Sequence, residues 1–298
     1  MRTIERFSKF LGQREAKLGY LLVLPAVVLI LTLVAYPFVL AVYWSLTDKV
    51  VGRSPHFVGL RNFIELFQSA IFLRTARNSF VYTLSAVGLK FILGMGMALL
   101  LNQKFRGRNF LRGLYLLPWI VPMAISGVAW IWMYDSVFGV INYTIKMARI
   151  SDTGWPWLAN STLAIIAVIV ANVWRGTPFF GISLLAGLQA IPTELYEAAE
   201  VDGAGRLSKF FNITMPQLRH IILIVTLFST IWTFADFETV YVITRGGPAN
   251  TTHLFATLSY QVGLVAGQLG KGTAISLFIF PVLLLMMFLE LKYVRRTI

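Results

Sequence analysis

The chain has 298 residues, 57% of them hydrophobic and only 13% charged, whereas a soluble domain carries roughly a quarter charged residues, so water is not its main solvent. The formal charge of +13 comes from Lys and Arg in short blocks between apolar runs, without the sustained basic patch interleaved with aromatics that would point to nucleic acid. There is no cysteine, which excludes disulfides, thiolate zinc sites and cysteine nucleophiles. His56, His220 and His253 are scattered, none with a second ligand at metal-binding spacing, and read as structural or interfacial.

Taken in order, six segments are apolar over the roughly 20 residues a spanning helix needs: Leu18 to Leu46, Asn78 to Leu101, Leu111 to Tyr134, Thr162 to Ile182, Ile221 to Ile243 and Thr273 to Leu291. The pattern predicts an all-α, polytopic membrane protein with six transmembrane helices. The first segment follows Arg2, Arg6, Lys9, Arg14 and Lys17, a basic start like that of a signal peptide, but its apolar run is too long and has no A-x-A site, so it is expected to remain as a helix. Residues 1–17 then form a cytoplasmic tail and 18–298 a single transmembrane domain, since no repeat, low-complexity tract or Pro-rich linker divides the chain.

Orientation follows from the basic residues of alternate connections. Besides the N-terminal group, one side carries Lys104, Arg106, Arg108 and Arg112, then Arg206, Lys209 and Arg219, then Lys292, Arg295 and Arg296. The other carries Lys49, Arg53, Arg61, Arg74 and Arg77, then Lys146 and Arg149, then Arg245 and Lys271. Both termini are expected in the cytoplasm. In the first outer loop, Phe63-Ile64-Glu65-Leu66-Phe67 predicts an interfacial helix, and Trp155-Pro156-Trp157 reads as a headgroup-level anchor.

The connection at about 188–216 is too polar to span. Thr193 is the expected N-cap, Glu194 and Glu197 lie in the first turn, where the helix dipole favours carboxylates, and Gly203 and Gly205 give the stop. Leu195, Ala198, Ala199 and Asp202 recur at helical spacing, so two alanines leave a small-residue surface, with Glu197 and Glu200 offered to a partner's Arg or Lys.

Glu197-Ala198-Ala199, three residues, Gly203, nine residues and then Ile213-Thr214-Met215-Pro216 resemble the EAA signature of binding-protein-dependent ABC permeases. The family's usual ending is Ile-x-Leu-Pro, and Met215 is a volume-conserving departure. The resemblance continues to the carbohydrate branch through Leu117-Pro118-Trp119, Gly139-Val140-Ile141-Asn142, Trp174-Arg175-Gly176-Thr177-Pro178-Phe179, Leu185 to Pro192 and Thr244-Arg245-Gly246-Gly247-Pro248.

That resemblance implies a type I ABC importer permease fold in the bacterial cytoplasmic (inner) membrane. It implies a second homologous permease, two ATP-binding subunits that use ATP and Mg, an extracytoplasmic solute-binding protein, and a sugar, oligosaccharide or polyol as cargo. The residues Glu197, Ala198, Ala199, Asp202 and Gly203 would form the helix that couples to the ATPase. Independently, Gly270-Lys271 lacks the upstream glycine of a P-loop, which falls at Val265, and is followed by Gly272. The chain is therefore expected to be no enzyme, to bind no cofactor and to rely on another chain for ATP hydrolysis.

Polar groups inside a span tend to face a cavity or partner. Asn172, Gly176 and Phe179 lie at i, i+4 and i+7 of the fourth span, and Ser229, Trp232, Thr233 and Asp236 at i, i+3, i+4 and i+7 of the fifth. Mixed aromatic and polar stripes suit a sugar's CH face and hydroxyls, and in permeases similar to the maltose type these positions line the sugar site. The alternative is that Gly176 and Ser229 merely let helices approach. Arg175 and Lys90 are intramembrane cations expected to snorkel, to pair with Asp236 or Glu238, or to bond carbonyls at a broken helix end. An ion-coupled secondary transporter is the competing function; it would need a coupling-ion site and inverted repeats, and neither is visible.

Overall fold

The computed structural model describes residues 18–295 and is all helix, apart from one antiparallel bridge between Thr47 and Phe57. The expected tail 1–17 and Arg296 lie outside the described residues. The helices are α1 (Leu18–Ser45), α2 (Arg61–Gln68), α3 (Ala70–Asn102), α4 (Arg108–Ile120), α5 (Met123–Met133), α6 (Val140–Met147) and α7 (Ser161–Ala190). There follow α8 (Thr193–Val201), α9 (Arg206–Phe234), α10 (Glu238–Ile243), α11 (Phe255–Val265), α12 (Leu269–Leu277) and α13 (Ile279–Arg295). Among the described residues five helical stretches are long and apolar enough to cross a membrane, six if α4 and α5 count as one broken span.

Several predicted boundaries move, each for a local reason. The third span is not one helix from Leu111 to Tyr134, because α4 and α5 meet at 92°. Pro122 has no N–H and holds Val121 out of the helical region, at ψ 127°. The fifth span starts earlier, at Arg206, and ends at Phe234 instead of Ile243. The second starts at Ala70, where Ser69 Oγ caps the Phe72 N–H at 3.4 Å. The fourth starts under Asn160, whose Oδ1 accepts from Thr162 and Leu163 N–H at 2.9 and 3.1 Å, and runs on to Ala190. At about 1.5 Å per residue, α3 and α7, of 33 and 30 residues, are longer than the roughly 30 Å hydrocarbon layer.

Two widened, π-helical turns precede prolines. Tyr36 N–H reaches back five residues to Leu31 ahead of Pro37, and Met215 N–H to Phe210 ahead of Pro216. A proline cannot donate and crowds the carbonyl four residues back, so one turn slips register to absorb it.

The centre of the bundle is the pair α3 and α7. They meet where neither has a side chain: a methyl group at Gly94 would fall 3.1 Å from the Gly181 nitrogen and 2.5 Å from Phe180 Cβ. Around this contact lie Met95, Leu101, Phe180, Leu184, Leu188 and Leu218. A second buried cluster joins Tyr82, Trp130, Tyr134, Val168 and Leu254, and a third joins Leu66, Phe72, Phe234, Phe255 and Ile275. By contrast α1 is exposed over its apolar stretch, only Ser45 in its last turn being buried.

The loop regions are tied to this bundle. The expected helix around Phe63–Phe67 forms as α2, and the buried Asn62 donates to the carbonyls of Ser45 and Thr47 at 2.8 Å each. Glu65 pairs with Arg61 at 2.8 Å and with Lys271 at 2.6 Å, which together hold its carboxyl below the usual carboxylate range. The tryptophans of 155–157 are pinned by Asn142, which bonds both backbone groups of Trp155 and the Trp157 indole N–H. The Trp157 ring also lies tilted against Tyr134, with centroids 5.4 Å apart. His253 is buried between Thr257 at 3.1 Å and Asn250 at 3.3 Å, as a structural histidine would be.

The α3–α7 contact carries a prediction. Gly94→Val should overpack the crossing and destabilise the protein by about 1–3 kcal/mol, read as a lowered midpoint of thermal unfolding in detergent. Gly96→Val, on the open side of the same helix where no atom lies within 4 Å, should leave that midpoint unchanged.

Candidate functional site

The breaks and stripes converge on one cavity of about 280 Å³, lined by all seven residues singled out from the two stripes, Asn172, Gly176, Phe179, Ser229, Trp232, Thr233 and Asp236. Lys90 of α3, Trp119 of α4 and Arg175 of α7 complete it. One wall is aromatic. Trp119 and Phe179 have ring centroids 6.0 Å apart, Phe179 and Trp232 5.2 Å, and Trp232 and Phe228 5.8 Å. Trp119 and Trp232 remain about half exposed, at 47% and 53%. The polar lining residues Lys90, Asn172, Ser229, Thr233 and Asp236 are buried.

Asp236 sits in the gap between α9 and α10. Its Oδ2 accepts Tyr82 O–H at 2.6 Å and Asn172 Nδ2 at 2.8 Å, and its Oδ1 accepts the Thr239 N–H at 3.2 Å. The carboxylate is thus occupied by α3, α7 and the first turn of α10. A carboxylate only accepts, so Asn172 must present its amide nitrogen to Asp236, and its Oδ1 is left buried without a partner.

The two cations take different routes. Lys90 is 4% exposed and donates to Thr233 Oγ1 at 2.9 Å, with no ion pair to Asp236. Its stem runs against Gly176, where a methyl group would come within 3.0 Å of Nζ. Arg175 reaches Glu238 at 3.7 Å and keeps Nε buried without a partner. The free polar atoms of this lining are therefore an amide oxygen that accepts and cationic nitrogens that donate.

Trp119 was not among the sequence-derived site residues. It lies one turn beyond Tyr115 on α4, whose O–H bonds Thr177 O of α7 at 2.9 Å, and that packing of α4 on α7 sets its ring beside Phe179.

The connection at 188–216 forms α8. Thr193 is its first residue and not its cap: Pro192 holds the N-cap position, with no side-chain bond. The stop is as expected, with Gly203 at φ +78° and the Ala204 N–H bonded to Ala199 O at 2.8 Å. Glu197, Ala198, Asp202 and Gly203 are exposed and Ala199 is half-buried. Leu195, Val201 and Leu207 are exposed beside them. Glu200 is not free, because Lys209 bonds it and holds its carboxyl below the usual range.

Long apolar helices around a polar and aromatic cavity, with an exposed helix between two spans, define a polytopic membrane transport protein. The chain belongs to the family of binding-protein-dependent transport system inner membrane components, whose model matches residues 90–298. It is a multi-pass transport permease and not an enzyme. It is 36% identical to the trehalose/maltose transport system permease protein MalF of Thermococcus litoralis, over 96% of each chain. It is 31% identical to the sulfoquinovosyl glycerol transport system permease protein SmoG of Agrobacterium fabrum, over 98% of this chain and 95% of that one. Its fold matches a chain of a bacterial alginate ABC transporter, solved in complex with alginate pentasaccharide-bound periplasmic protein, with a TM-score of 0.82 at 22% identity over 95% and 96% of the two chains.

Asp236 and Ser229 line the same cavity but differ in what depends on them. Asp236→Ala would orphan two buried side-chain donors and the Thr239 N–H, at about 1–3 kcal/mol each before relaxation, and should lower the thermal midpoint by several degrees. Ser229→Ala should leave it within a degree. Differential scanning fluorimetry of the purified protein compares them.

Proposed function

We propose that this permease, paired with a second homologous permease, carries a sugar, oligosaccharide or related polyol across the cytoplasmic membrane, driven by two ATP-binding subunits and fed by an extracytoplasmic solute-binding protein. The observation that carries the reading is the cavity, which brings the aromatic rings of Trp119, Phe179 and Trp232 together with the polar groups of Asn172, Ser229, Thr233 and Lys90. Aromatic faces pack on the CH surface of a pyranose, while amide, hydroxyl and ammonium groups bond its hydroxyls. The relatives' sugar-transport names favour the same cargo class.

In this reading Asn172, Phe179, Ser229, Trp232 and Thr233 touch the solute, Gly176 leaves room for the Lys90 stem, and Asp236 orients Asn172. Residues 18–298 act as one transmembrane domain, with both termini in the cytoplasm. That orientation puts α8 on the same side, where Glu197, Ala198, Ala199, Asp202 and Gly203 enter a groove of the ATPase. Closure of the ATPases around ATP and Mg moves α8, the cavity opens outward to receive solute from the docked binding protein, and hydrolysis resets it inward. This chain binds no cofactor, and nucleic acid has no part in the cycle. The ion-coupled alternative leaves the exposed face of α8 without a use.

The test is uptake of maltose and related sugars by liposomes holding the permease pair and ATPases, with the binding protein outside and ATP inside. Uptake should require both, and Glu197→Lys should abolish it together with ATPase association. Uptake by this chain alone on an ion gradient would overturn the proposal. Trp232→Ala should raise the KM for uptake about fivefold, the loss of roughly 1 kcal/mol of contact, with ATPase association intact.

A further inference from the structure

The helix α8 hangs on the chain by weak covalent links. Its C-terminal connection, Asp202 to Gly205, contains two glycines, one at φ +78°, and Pro192 precedes it without a side-chain cap. A short helix on such a tether would swing independently of the spans it joins.

Two contacts prevent this, and both come from one face of α8, from residues four apart. The Tyr196 hydroxyl meets Thr214 Oγ1 at 2.9 Å, and Glu200 takes the ammonium of Lys209. Thr214 is buried, 4% exposed, in the widened turn at the base of α9, and its hydroxyl lies 3.4 Å from the Lys209 carbonyl. A hydrogen-bond relay therefore runs from Tyr196 O–H to Thr214 Oγ1 and from Thr214 O–H to the backbone of Lys209. The Lys209 side chain returns to α8. Tyr196, like Phe210, Ile213 and Met215, packs against the buried cluster that holds Leu184, Leu188 and Leu218, while Glu197 and Ala198 stay exposed for a partner.

We propose that Tyr196 and Thr214 are positioning residues of the transport cycle: their hydroxyl contact, backed by Glu200 and Lys209, makes α8 and the base of α9 move as one body, so that displacement of α8 reaches the cavity instead of being absorbed in the glycine loop. This rests on the importer reading above and adds which contacts transmit the motion. Neither residue lines the cavity, and Thr214 is buried.

The experiment measures solute taken up per ATP hydrolysed in liposomes holding the complete importer, for Tyr196→Phe, Thr214→Val, Thr214→Ser and the Tyr196→Phe/Thr214→Val double variant. Tyr196→Phe keeps the ring and its packing, and Thr214→Val keeps the volume. Each should lower uptake per ATP threefold or more with the ATPases still bound. The double variant should be no worse than either single one, and Thr214→Ser, which keeps the oxygen, should behave as wild type. Wild-type uptake per ATP in both single variants, or an equal loss in Thr214→Ser, would overturn the proposal. A wild-type assembly with no ATP-driven uptake would instead overturn the importer reading beneath it.

Discussion

A helix that stops within an apolar segment leaves N–H and C=O groups that lipid cannot satisfy; between Phe234 and Glu238 the Ile231 and Thr233 carbonyls take the Ala235 and Asp236 N–H groups, and a buried carboxylate takes an N–H of the next helix. Asp236 takes the Thr239 N–H of α10 on one oxygen and the side chains of Tyr82 and Asn172 on the other. Everything around the cavity follows from that choice. With Asp236 committed, Asn172 has only one orientation, its carbonyl oxygen is left open, and the Lys90 ammonium settles on Thr233 instead of a carboxylate. A polar wall with defined open atoms is thus produced by the repair of a broken helix.

The span count and the cavity stripes were legible because both depend on spacing along one element. Asn172, Gly176 and Phe179 share a helical face whatever the neighbours do, as do Ser229, Trp232 and Thr233. What the spacing could not show is where apolar helices stop. Val121-Pro122 and Ala235-Asp236 sit inside stretches apolar enough to span, and the stops come from a proline's missing donor and from a carboxylate whose partners, Tyr82 and Asn172, are 154 and 64 residues away. Trp119 was missed because it reaches the cavity only through the packing of α4 on α7, whose contact residues Tyr115 and Thr177 are 62 residues apart in sequence. The N-cap of α8 went to Pro192 because the helix begins one residue earlier than a side-chain cap at Thr193 would require.

The α3–α7 contact shows why small residues matter here. Apolar burial gives little driving force in lipid, so close backbone approach and polar contacts hold helices together. Gly94 permits the approach of α3, and Gly181 makes room for the Tyr115 ring of α4, whose O–H bonds Thr177 O at 2.9 Å. Elsewhere large apolar side chains face outward at no comparable cost. The exposed length of α1 and the apolar cavity of about 600 Å³ between Leu93, Leu114 and Trp174 are surfaces that lipid or a neighbouring transmembrane chain can cover.

α9 joins the two functional regions. Thr214, which meets Tyr196, stands at its widened base, and Thr233, which meets Lys90, stands in its last turn. Between them Met215–Phe234 is one uninterrupted α-helix whose only proline, Pro216, follows directly on the widened turn that absorbs its missing N–H. Nineteen residues at 1.5 Å each separate the ends by about 28 Å, with no internal hinge to take up a displacement. The next flexible point is the gap after Phe234, which Asp236 bridges to α3 and α7. A push at the base of α9 therefore arrives at the hydrogen bonds that shape the cavity, and the carboxylate that repairs the helix break is also where that push is divided between Tyr82 on α3 and Asn172 on α7.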